Sequence, residues 1–378
     1  MLWPSISYNG RTIVFEHDFE LWKLDTASLR AARLPVELLG AAAGPSTAHL
    51  MLTSGIQDLA LSPDGKKVAF VVHGEIFAAS SKDGGDAMRV TRTEGEESDI
   101  AWAPDSRRIV YSSDRDGVRR LFLYDFGSNS ETPLTTGTEE DYSPLFSADG
   151  KSIAFIRGGH QVILLEIAPK QEKVLATAAM RRPPFNQQRP LAFSPDGKWL
   201  AFESVSGRMF TNVNVVAVTG GEAHQISFIP NGFSDSVAWS PDGKYILFDT
   251  GQRTEMRNVA RIDLVPRTPR FQENEFKDLF KQSPKIIPPL EKTQPTDEKE
   301  KAADKGPGEN KNETERPVEI VFYNIRERIS LLPTGVDVGY EAISPDGKML
   351  LMIAAAAGRQ NLYVYSLDEL AKEPAVAR

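Results

Sequence analysis

The sequence contains few residue combinations that could carry out covalent chemistry. No Gly-x-Ser-x-Gly segment is present to hold a nucleophilic serine, and the absence of cysteine excludes thiolate chemistry and disulfides. Asp114-x-Asp116-Gly117 resembles the start of a calcium loop but lacks the later ligands. The five histidines are scattered, and no two have the spacing of metal ligands: His17, His49, His73, His160 and His224. We therefore expect no catalytic residues, no metal, no cofactor and no enzyme activity of this chain alone.

A different chemistry, the electrostatic capture of a cationic partner, fits a set of charged residues just before a recurring turn motif. Five of these six residues are acidic. The set consists of Asp58, Asp99, Asp141, Arg189, Asp235 and Glu341. If these side chains face a common channel, their fields add and gather basic peptide segments. The alternative is that they are ordinary solvent-exposed charges at the starts of strands in an acidic chain.

The turn motif that follows these residues is Ser-Pro-Asp-Gly-Lys. Proline sets φ near −65°, aspartate can bond its own backbone, and glycine adopts the left-handed conformation that closes a tight turn. Each copy precedes a run of β-forming residues, so each predicts a corner between two strands. Four identical copies start at Ser62, Ser194, Ser240 and Ser344, and variants start at Ser7, Ala103 and Ser147.

Most corners are roughly 40 to 50 residues apart, which is the period of a four-stranded propeller blade. We therefore predict an all-β fold, a single β-propeller of four-stranded antiparallel blades over residues 1–378, with seven blades favoured. A first unit such as residues 4–40 could instead complete a preceding propeller, which leaves the blade count open. The predicted units lie near residues 4–40, 56–92, 99–136, 141–178, 189–228, 236–332 and 339–378.

The long interval before the last corner predicts an insertion. Residues 291–316 contain no aliphatic side chain larger than alanine and are rich in charge, a composition typical of disorder. Strand-like residues resume at Glu319, so residues 266–317 are predicted to be a disordered charged insertion within the sixth unit.

Composition limits the partners and the compartment. The 378-residue chain has a net charge of −8, which disfavours nucleic acid and anionic membranes as partners. No apolar run is long enough to span a bilayer, and no signal peptide precedes the first strand pattern. These features predict a cytoplasmic protein without a membrane partner.

The corner repeats, together with YSSDRDG (111–117), resemble TolB-type propeller repeats. Such repeats stand upstream of a PDZ domain and a catalytic domain in tricorn-like serine peptidases. Three further features are similar to the seven-bladed propeller of tricorn homologues: the late charged insertion, ARIDLVPRTPRF (260–271) before it and SLLPTGVD (330–337) after it. The resemblance covers nearly the whole chain. It departs from the family in lacking PDZ and catalytic domains after Arg378 and a complete first propeller before Met1.

The resemblance implies a non-catalytic module that recognises or gates peptide substrates for a tricorn-like serine peptidase. Its expected partners are peptides or a protein, including downstream PDZ and protease domains of the same polypeptide. The alternative function is a TolB-like scaffold for protein–protein interaction.

Overall fold

The computed structural model describes residues 2–36, 51, 54–184, 188–232, 234–252, 255–268, 317–368 and 376–377. These residues form seven four-stranded antiparallel sheets, and the strand order in each sheet follows the chain order. The all-β propeller fold with seven blades is confirmed. One single-turn 3₁₀ helix, Ile325–Arg328, is the only helix in the described part of the chain.

Each blade consists of four consecutive strands. Blades 1 to 4 are formed by β1 (Leu2–Ile6), β2 (Thr12–His17), β3 (Glu20–Asp25), β4 (Arg30–Arg33), β5 (Ile56–Leu61), β6 (Lys67–Val72), β7 (Glu75–Ser80), β8 (Met88–Arg89), β9 (Glu97–Trp102), β10 (Arg108–Ser113), β11 (Arg120–Asp125), β12 (Ser130–Pro133), β13 (Asp141–Phe146), β14 (Ser152–Arg157), β15 (Gln161–Glu166) and β16 (Gln171–Thr177). Blades 5 to 7 are formed by β17 (Leu191–Phe193), β18 (Trp199–Val205), β19 (Thr211–Ala217), β20 (His224–Gln225), β21 (Val237–Trp239), β22 (Tyr245–Thr250), β23 (Asn258–Asp263), β24 (Ile329–Leu331), β25 (Asp337–Ile343), β26 (Met349–Ala356), β27 (Arg359–Ser366) and β28 (Val376–Ala377).

The recurring corner joins the first and second strand of every blade. In blade 2 the Ser62 hydroxyl donates to Asp64 at 2.6 Å and accepts the Lys67 N–H at 2.9 Å, and the Gly65 N–H donates to the Ser62 carbonyl at 2.8 Å. This bonding closes the turn only if residue 65 has a left-handed backbone, which favours glycine. The four glycines of the identical motifs have φ between 66° and 70°: Gly65, Gly197, Gly243 and Gly347.

The core forms between neighbouring sheets, and the second strand of blade 4 contributes to it from both faces. In β14, Ile153 and Phe155 pack against blade 3 residues such as Val110, whereas Ala154 and Ile156 pack against blade 5 residues such as Phe202. All four of these β14 side chains are buried. The period-two alternation of a strand therefore serves two separate apolar seams.

The chain divides into two compact units. The first consists of Met1–Phe193, Trp199–Gln225 and Asp235–Val237, and thus holds blades 1 to 4 and most of blade 5. The second consists of Ser194–Lys198, Ile226–Ser234 and Ala238–Arg378, and holds most of blade 6 and blade 7. The predicted insertion, residues 266–317, lies outside the described residues except for positions 266–268 and 317.

Candidate functional site

The first strands of blades 2, 3 and 4 each contain a β-bulge. Asp99 in β9 and Ser143 in β13 have φ of 55° and 52°, a left-handed conformation unusual for residues other than glycine. Bulges redirect side chains and bend the strand. The bulges therefore explain why carboxylates that read as surface charges in the sequence turn towards the next blade.

Asp58 and Asp99 use their carboxylates to join successive blades. Asp58 accepts the backbone N–H of Ile100 at 2.8 Å. Asp99 accepts the Ser112 hydroxyl at 2.9 Å and the Ser143 N–H at 3.4 Å. Burial raises the pKa of Asp99 against these hydrogen bonds, and the nearby charge of Asp58 raises it further. The structure therefore brings these two predicted site residues together.

Asp141 has a different environment, because it is the first residue of β13 and is buried. Arg157 donates to its two carboxylate oxygens at 2.7 and 3.0 Å, and donates to Glu172 at 2.5 and 2.9 Å. Burial raises the pKa of Asp141, whereas the hydrogen bonds from Arg157 and Thr135 lower it. Its charge is thus compensated within blade 4.

Glu97 is the counterpart of Asp141 in blade 3, and it is not among the six residues predicted from the sequence. It is the first residue of β9, it is buried, and its carboxylate contacts Arg115 at 3.3 Å. Arg115 also contacts Glu131 at 2.6 Å, so an arginine links the first and last strands in both blades. The signal was present in the sequence, because Glu97 and Asp141 stand at the same distance before their corners while Asp99 stands two residues closer.

The remaining predicted residues are placed separately. The exposed Arg189 donates its backbone N–H to the carbonyl of Asp235 at 2.9 Å, and accepts the Val237 N–H at 3.1 Å. Glu341 is buried in β25 and lies in the second unit. An acidic channel formed by the whole set remains a prediction.

A pocket of about 180 Å³ lies in the first unit, where blades 1, 2 and 3 adjoin. Turn residues of blades 1 and 2 and the segment before β9 contribute most of its wall. Its lining consists of Leu2, Glu16, His17, Asp18, Gln57, His73, Gly74, Glu75, Gly95 and Glu96. Four of the lining residues carry carboxylates, and none is lysine or arginine.

An aromatic and ionic cluster holds the wall of the pocket. Phe19 stacks on His73 with ring centroids 5.4 Å apart, and the Arg89 guanidinium lies 4.8 Å above the Phe19 ring. Arg89 pairs with Asp18 and also lies 3.0 Å from the Glu75 carboxylate. One cation therefore contacts two of the four lining carboxylates, and the pocket keeps an excess of negative charge.

Glu75 is the most deeply buried acid of the pocket, with a side chain 1% exposed. Its carboxylate accepts the Thr91 hydroxyl at 2.6 Å and the Thr93 N–H at 2.9 Å. Burial raises the pKa of Glu75 to about 7 despite these bonds. The charge of the pocket therefore changes near neutral pH.

Within the described ranges, no group of three histidine, aspartate or glutamate side chains could hold a metal ion. The same part of the chain has no helix with the length and apolarity needed to cross a bilayer. Among the described residues, two features can act on a ligand: the acidic pocket, and the carboxylates of Asp58 and Asp99 at the strand bulges, called the bulged carboxylates below.

Comparisons with known proteins agree with this architecture. Residues 55–187 match the family model described as the TolB beta propeller domain. A segment is 29% identical over 141 residues to tricorn protease homolog 1 of Streptomyces coelicolor, covering 35% of this chain and 13% of that protein. Another is 43% identical over 51 residues to the TolB homolog of Protochlamydia amoebophila, covering 14% of this chain and 11% of that protein.

Solved structures support the same fold at low sequence identity. The tricorn protease structure aligns with 99% of this chain and 39% of its own, at 12% identity and a TM-score of 0.51. An oligogalacturonate lyase in complex with manganese aligns with 96% of this chain and 88% of its own, at 15% identity and a TM-score of 0.52. The chain is therefore a β-propeller protein. Residues 55–187 match TolB-type propeller repeats, and the chain is similar to tricorn proteases, as the sequence motifs predicted.

Proposed function

We propose that this chain is a non-catalytic propeller module that recognises basic peptide segments and gates them for a tricorn-like serine peptidase. The observation that carries the proposal is the pocket in the first unit, with four carboxylates and no lysine or arginine in its lining. Similarity to a protein named tricorn protease homolog supports the peptidase context. PDZ and protease domains of the same polypeptide are the proposed recipients of the peptide.

The size of the pocket favours a single side chain as its occupant. Pockets for drug-sized ligands and cofactors measure about 300–1,000 Å³, whereas this one measures about 180 Å³. A lysine or arginine side chain would place its charge among the carboxylates and its alkyl stem along the ring of His73, which Phe19 supports. Glu16 and Glu96 are the lining acids that Arg89 does not pair with.

The bulged carboxylates Asp58 and Asp99 form a second negative surface within this proposal. Arg157 compensates the charge of Asp141, so Asp141 contributes little to the long-range attraction of basic peptides. Asp235 and Arg189 carry opposite charges, and Glu341 adds one acid in the second unit. The attraction of basic peptides is therefore proposed to depend mostly on the pocket and on the Asp58–Asp99 pair.

Fluorescence anisotropy with lysine-rich and glutamate-rich peptides of equal length tests the function. The wild type should bind the lysine-rich peptide more tightly, and the Glu16→Gln/Glu96→Gln variant should lose about tenfold of that affinity. The Glu166→Gln/Glu222→Gln variant removes the same charge from exposed positions outside the pocket and should bind like the wild type. Equal binding of both peptides by the wild type would contradict the proposal.

A second candidate is a TolB-like scaffold that binds a folded protein partner. The 43% identical segment shared with a TolB homolog favours it. Under this alternative the pocket variant would leave partner binding unchanged, which separates it from the first candidate.

A further inference from the structure

Two buried carboxylates meet at one hydroxyl group in the seam between blades 2 and 3. Oε2 of Glu75 lies 2.6 Å from Oγ1 of Thr91, and Oε2 of Glu97 lies 3.0 Å from the same atom. Glu75 and Glu97 are 1% and 2% exposed. The backbone N–H of Ile76 also donates to this hydroxyl, at 2.8 Å.

The hydroxyl of Thr91 cannot donate to both carboxylates when both are ionised. The hydroxyl has one hydrogen and two lone pairs. Ile76 occupies one lone pair, and the hydrogen can bond only one of the two carboxylates. The other carboxylate then faces an oxygen lone pair, unless it carries a proton and donates that proton to Oγ1. With one added proton, every donor and acceptor at Thr91 is used.

The other oxygens of both carboxyl groups already have donors of their own. Oε1 of Glu75 accepts the Thr93 N–H and faces Arg89 at 3.0 Å. Oε1 of Glu97 accepts the hydroxyls of Thr93 at 2.7 Å and Ser113 at 2.9 Å, and faces Arg115 at 3.3 Å. The shared proton therefore has one place to reside, the contact at Thr91.

The next seam has the same hydroxyl without the second acid. Thr135 accepts the Leu121 N–H at 3.0 Å and donates to Asp141. At the start of β11 stands Arg120, where β7 has Glu75. One carboxylate and one hydroxyl satisfy each other without an added proton, so this seam is an internal comparison.

We propose that Glu75 and Glu97 share one proton through Thr91, and that release of this proton to solvent strengthens the binding of a cationic side chain in the adjoining pocket. The shared proton follows from the hydrogen-bond geometry, whereas its effect on binding rests on the proposed function. Glu75 belongs to both features, because it lines the pocket and accepts from Thr91. Charged and titratable groups facing the pair or its arginines are Glu16, His17, Asp18, His73, Arg89, Arg92, Glu96, Tyr111, Arg115 and Glu131.

The burial raising the pKa of Glu75 to about 7 agrees with a proton held near neutrality, and the pKa of Glu97 is also raised by burial. A lone buried glutamate could titrate in the same range, so the test must distinguish a shared proton from a private one. The variant Glu97→Gln distinguishes the two cases. Its side-chain amide N–H can donate to the Thr91 hydroxyl oxygen, as a protonated carboxyl would. Glu75 should then stay ionised. A private proton on Glu75 would persist in that variant.

Carbon NMR of glutamate labelled at the side-chain carboxyl, followed from about pH 5 to about pH 9, is the first measurement. The wild type should show one proton leaving the pair near neutral pH, and neither Glu75→Gln nor Glu97→Gln should show it. Thr135→Val, in the comparison seam, should keep it. A neutral titration that survives in Glu97→Gln overturns the shared proton, as does a wild type whose carboxyls stay ionised throughout. If a glutamine variant does not fold, Thr91→Val takes its place: it removes the hydroxyl, so a shared proton should be lost, whereas a private proton on Glu75 would persist. Thr91→Ser, which retains the hydroxyl, should keep the titration.

The second measurement is binding of the lysine-rich peptide between about pH 6 and about pH 8. Affinity of the wild type should rise about threefold to tenfold, as one more negative charge faces the cation, and Glu75→Gln should show no such rise. His17→Gln/His73→Gln removes the lining imidazoles. Its affinity should be lower at every pH, because the ring of His73 is lost, but should show the same rise with pH. If the NMR titration is present but peptide binding does not change with pH, the shared proton stands and its effect on binding is overturned. Absence of peptide binding at every pH, with the titration present, defeats the proposed function and leaves the shared proton standing.

Discussion

The backbone N–H of Asp64 donates a 3.0 Å hydrogen bond to the hydroxyl of Ser106, 42 residues further along the chain. Both residues belong to corners, one in blade 2 and the other in blade 3. Ser106 has a φ of 55° at the place where the identical motifs have glycine, so its backbone is strained. The strain is offset by a bond that glycine could not make, and the two corners are thereby joined.

Substitutions at Ser106 should separate the strain from the hydrogen bond. Ser106→Ala keeps the strained backbone and loses the bond, so we expect it to lower the free energy of unfolding by about 1 kcal/mol. Ser106→Gly loses the same bond but relieves a strain of about 1 kcal/mol, and should lie within about 0.5 kcal/mol of the wild type. Urea denaturation of the three proteins measures this. An alanine variant as stable as the wild type would show that the contact contributes nothing.

The corners illustrate what the sequence could predict. Four identical motifs predicted four left-handed glycines, and each has the predicted φ. From the sequence alone, Ser106→Gly would be expected to stabilise the fold, because the motif predicts a left-handed backbone at residue 106. The motif does not predict that Asp64 of the neighbouring blade donates to the Ser106 hydroxyl. The contact with Asp64 depends on how two blades pack, which no local pattern encodes.

Gly243 should be the least replaceable of the corner glycines. A Cβ at Gly243 would lie 2.5 Å from Cγ2 of Val318, whereas at Gly65 and Gly197 it would meet nothing within 4 Å. All three have similar φ, so Gly65→Ala and Gly197→Ala should each cost only the backbone strain, about 1 kcal/mol. Gly243→Ala should cost about 1–3 kcal/mol more, because packed atoms must move.

The excess cost at Gly243 should be recovered by making room. In the Val318→Ala background, Gly243→Ala should cost about the same as Gly65→Ala does in the wild type. Denaturation midpoints of the two backgrounds give the comparison. If Gly243→Ala and Gly65→Ala were equally destabilising in the wild type, Val318 would not be a steric constraint.

The two arginines Arg157 and Arg107 should differ in their effect on stability. Arg157 is 17% exposed and neutralises the buried Asp141, so Arg157→Met should lower the free energy of unfolding by about 3–5 kcal/mol. Arg107 is 60% exposed and pairs with Asp125 at 3.1 Å, so Arg107→Met should cost no more than about 1 kcal/mol. Thermal denaturation at neutral pH tests both. A similar small loss in the two variants would show that Asp141 is adequately solvated without its arginine.

The candidate site was only partly predictable for a physical reason. Asp99 and Asp141 belong to one set of acids in the sequence, but they occupy different positions in β9 and β13: Asp99 corresponds to Ser143, and Asp141 corresponds to Glu97. Spacing before the corners reveals this correspondence, but it does not reveal the bulges that turn a side chain inwards. The pocket was not predicted, because its lining comes from three blades.

Glu75 should make stability depend on pH in a defined direction. Its pKa is raised from 4.5 to about 7 in the fold, so the folded protein holds a proton that the unfolded chain has lost. The stabilisation is complete below about pH 4.5 and disappears as pH rises through about 7. As pH rises over this range, the wild type should therefore lose up to about 3 kcal/mol of unfolding free energy relative to Glu75→Gln. A constant difference across the range would contradict the raised pKa.

Asp99→Asn should reveal whether the bulged carboxylates attract basic peptides or only hold blades together. Asparagine tolerates the left-handed backbone, and its side-chain oxygen can accept from Ser112 and Ser143 as the carboxylate does. The variant should therefore stay within about 1 kcal/mol of wild-type stability while losing one negative charge. Near 0.1 M salt, where the Debye length is about 10 Å, its affinity for a lysine-rich peptide should fall about threefold. Near 1 M salt, where that length is about 3 Å, the two proteins should bind alike. Unchanged affinity at low salt would limit Asp99 to its structural contacts and would confine peptide attraction to the acidic pocket.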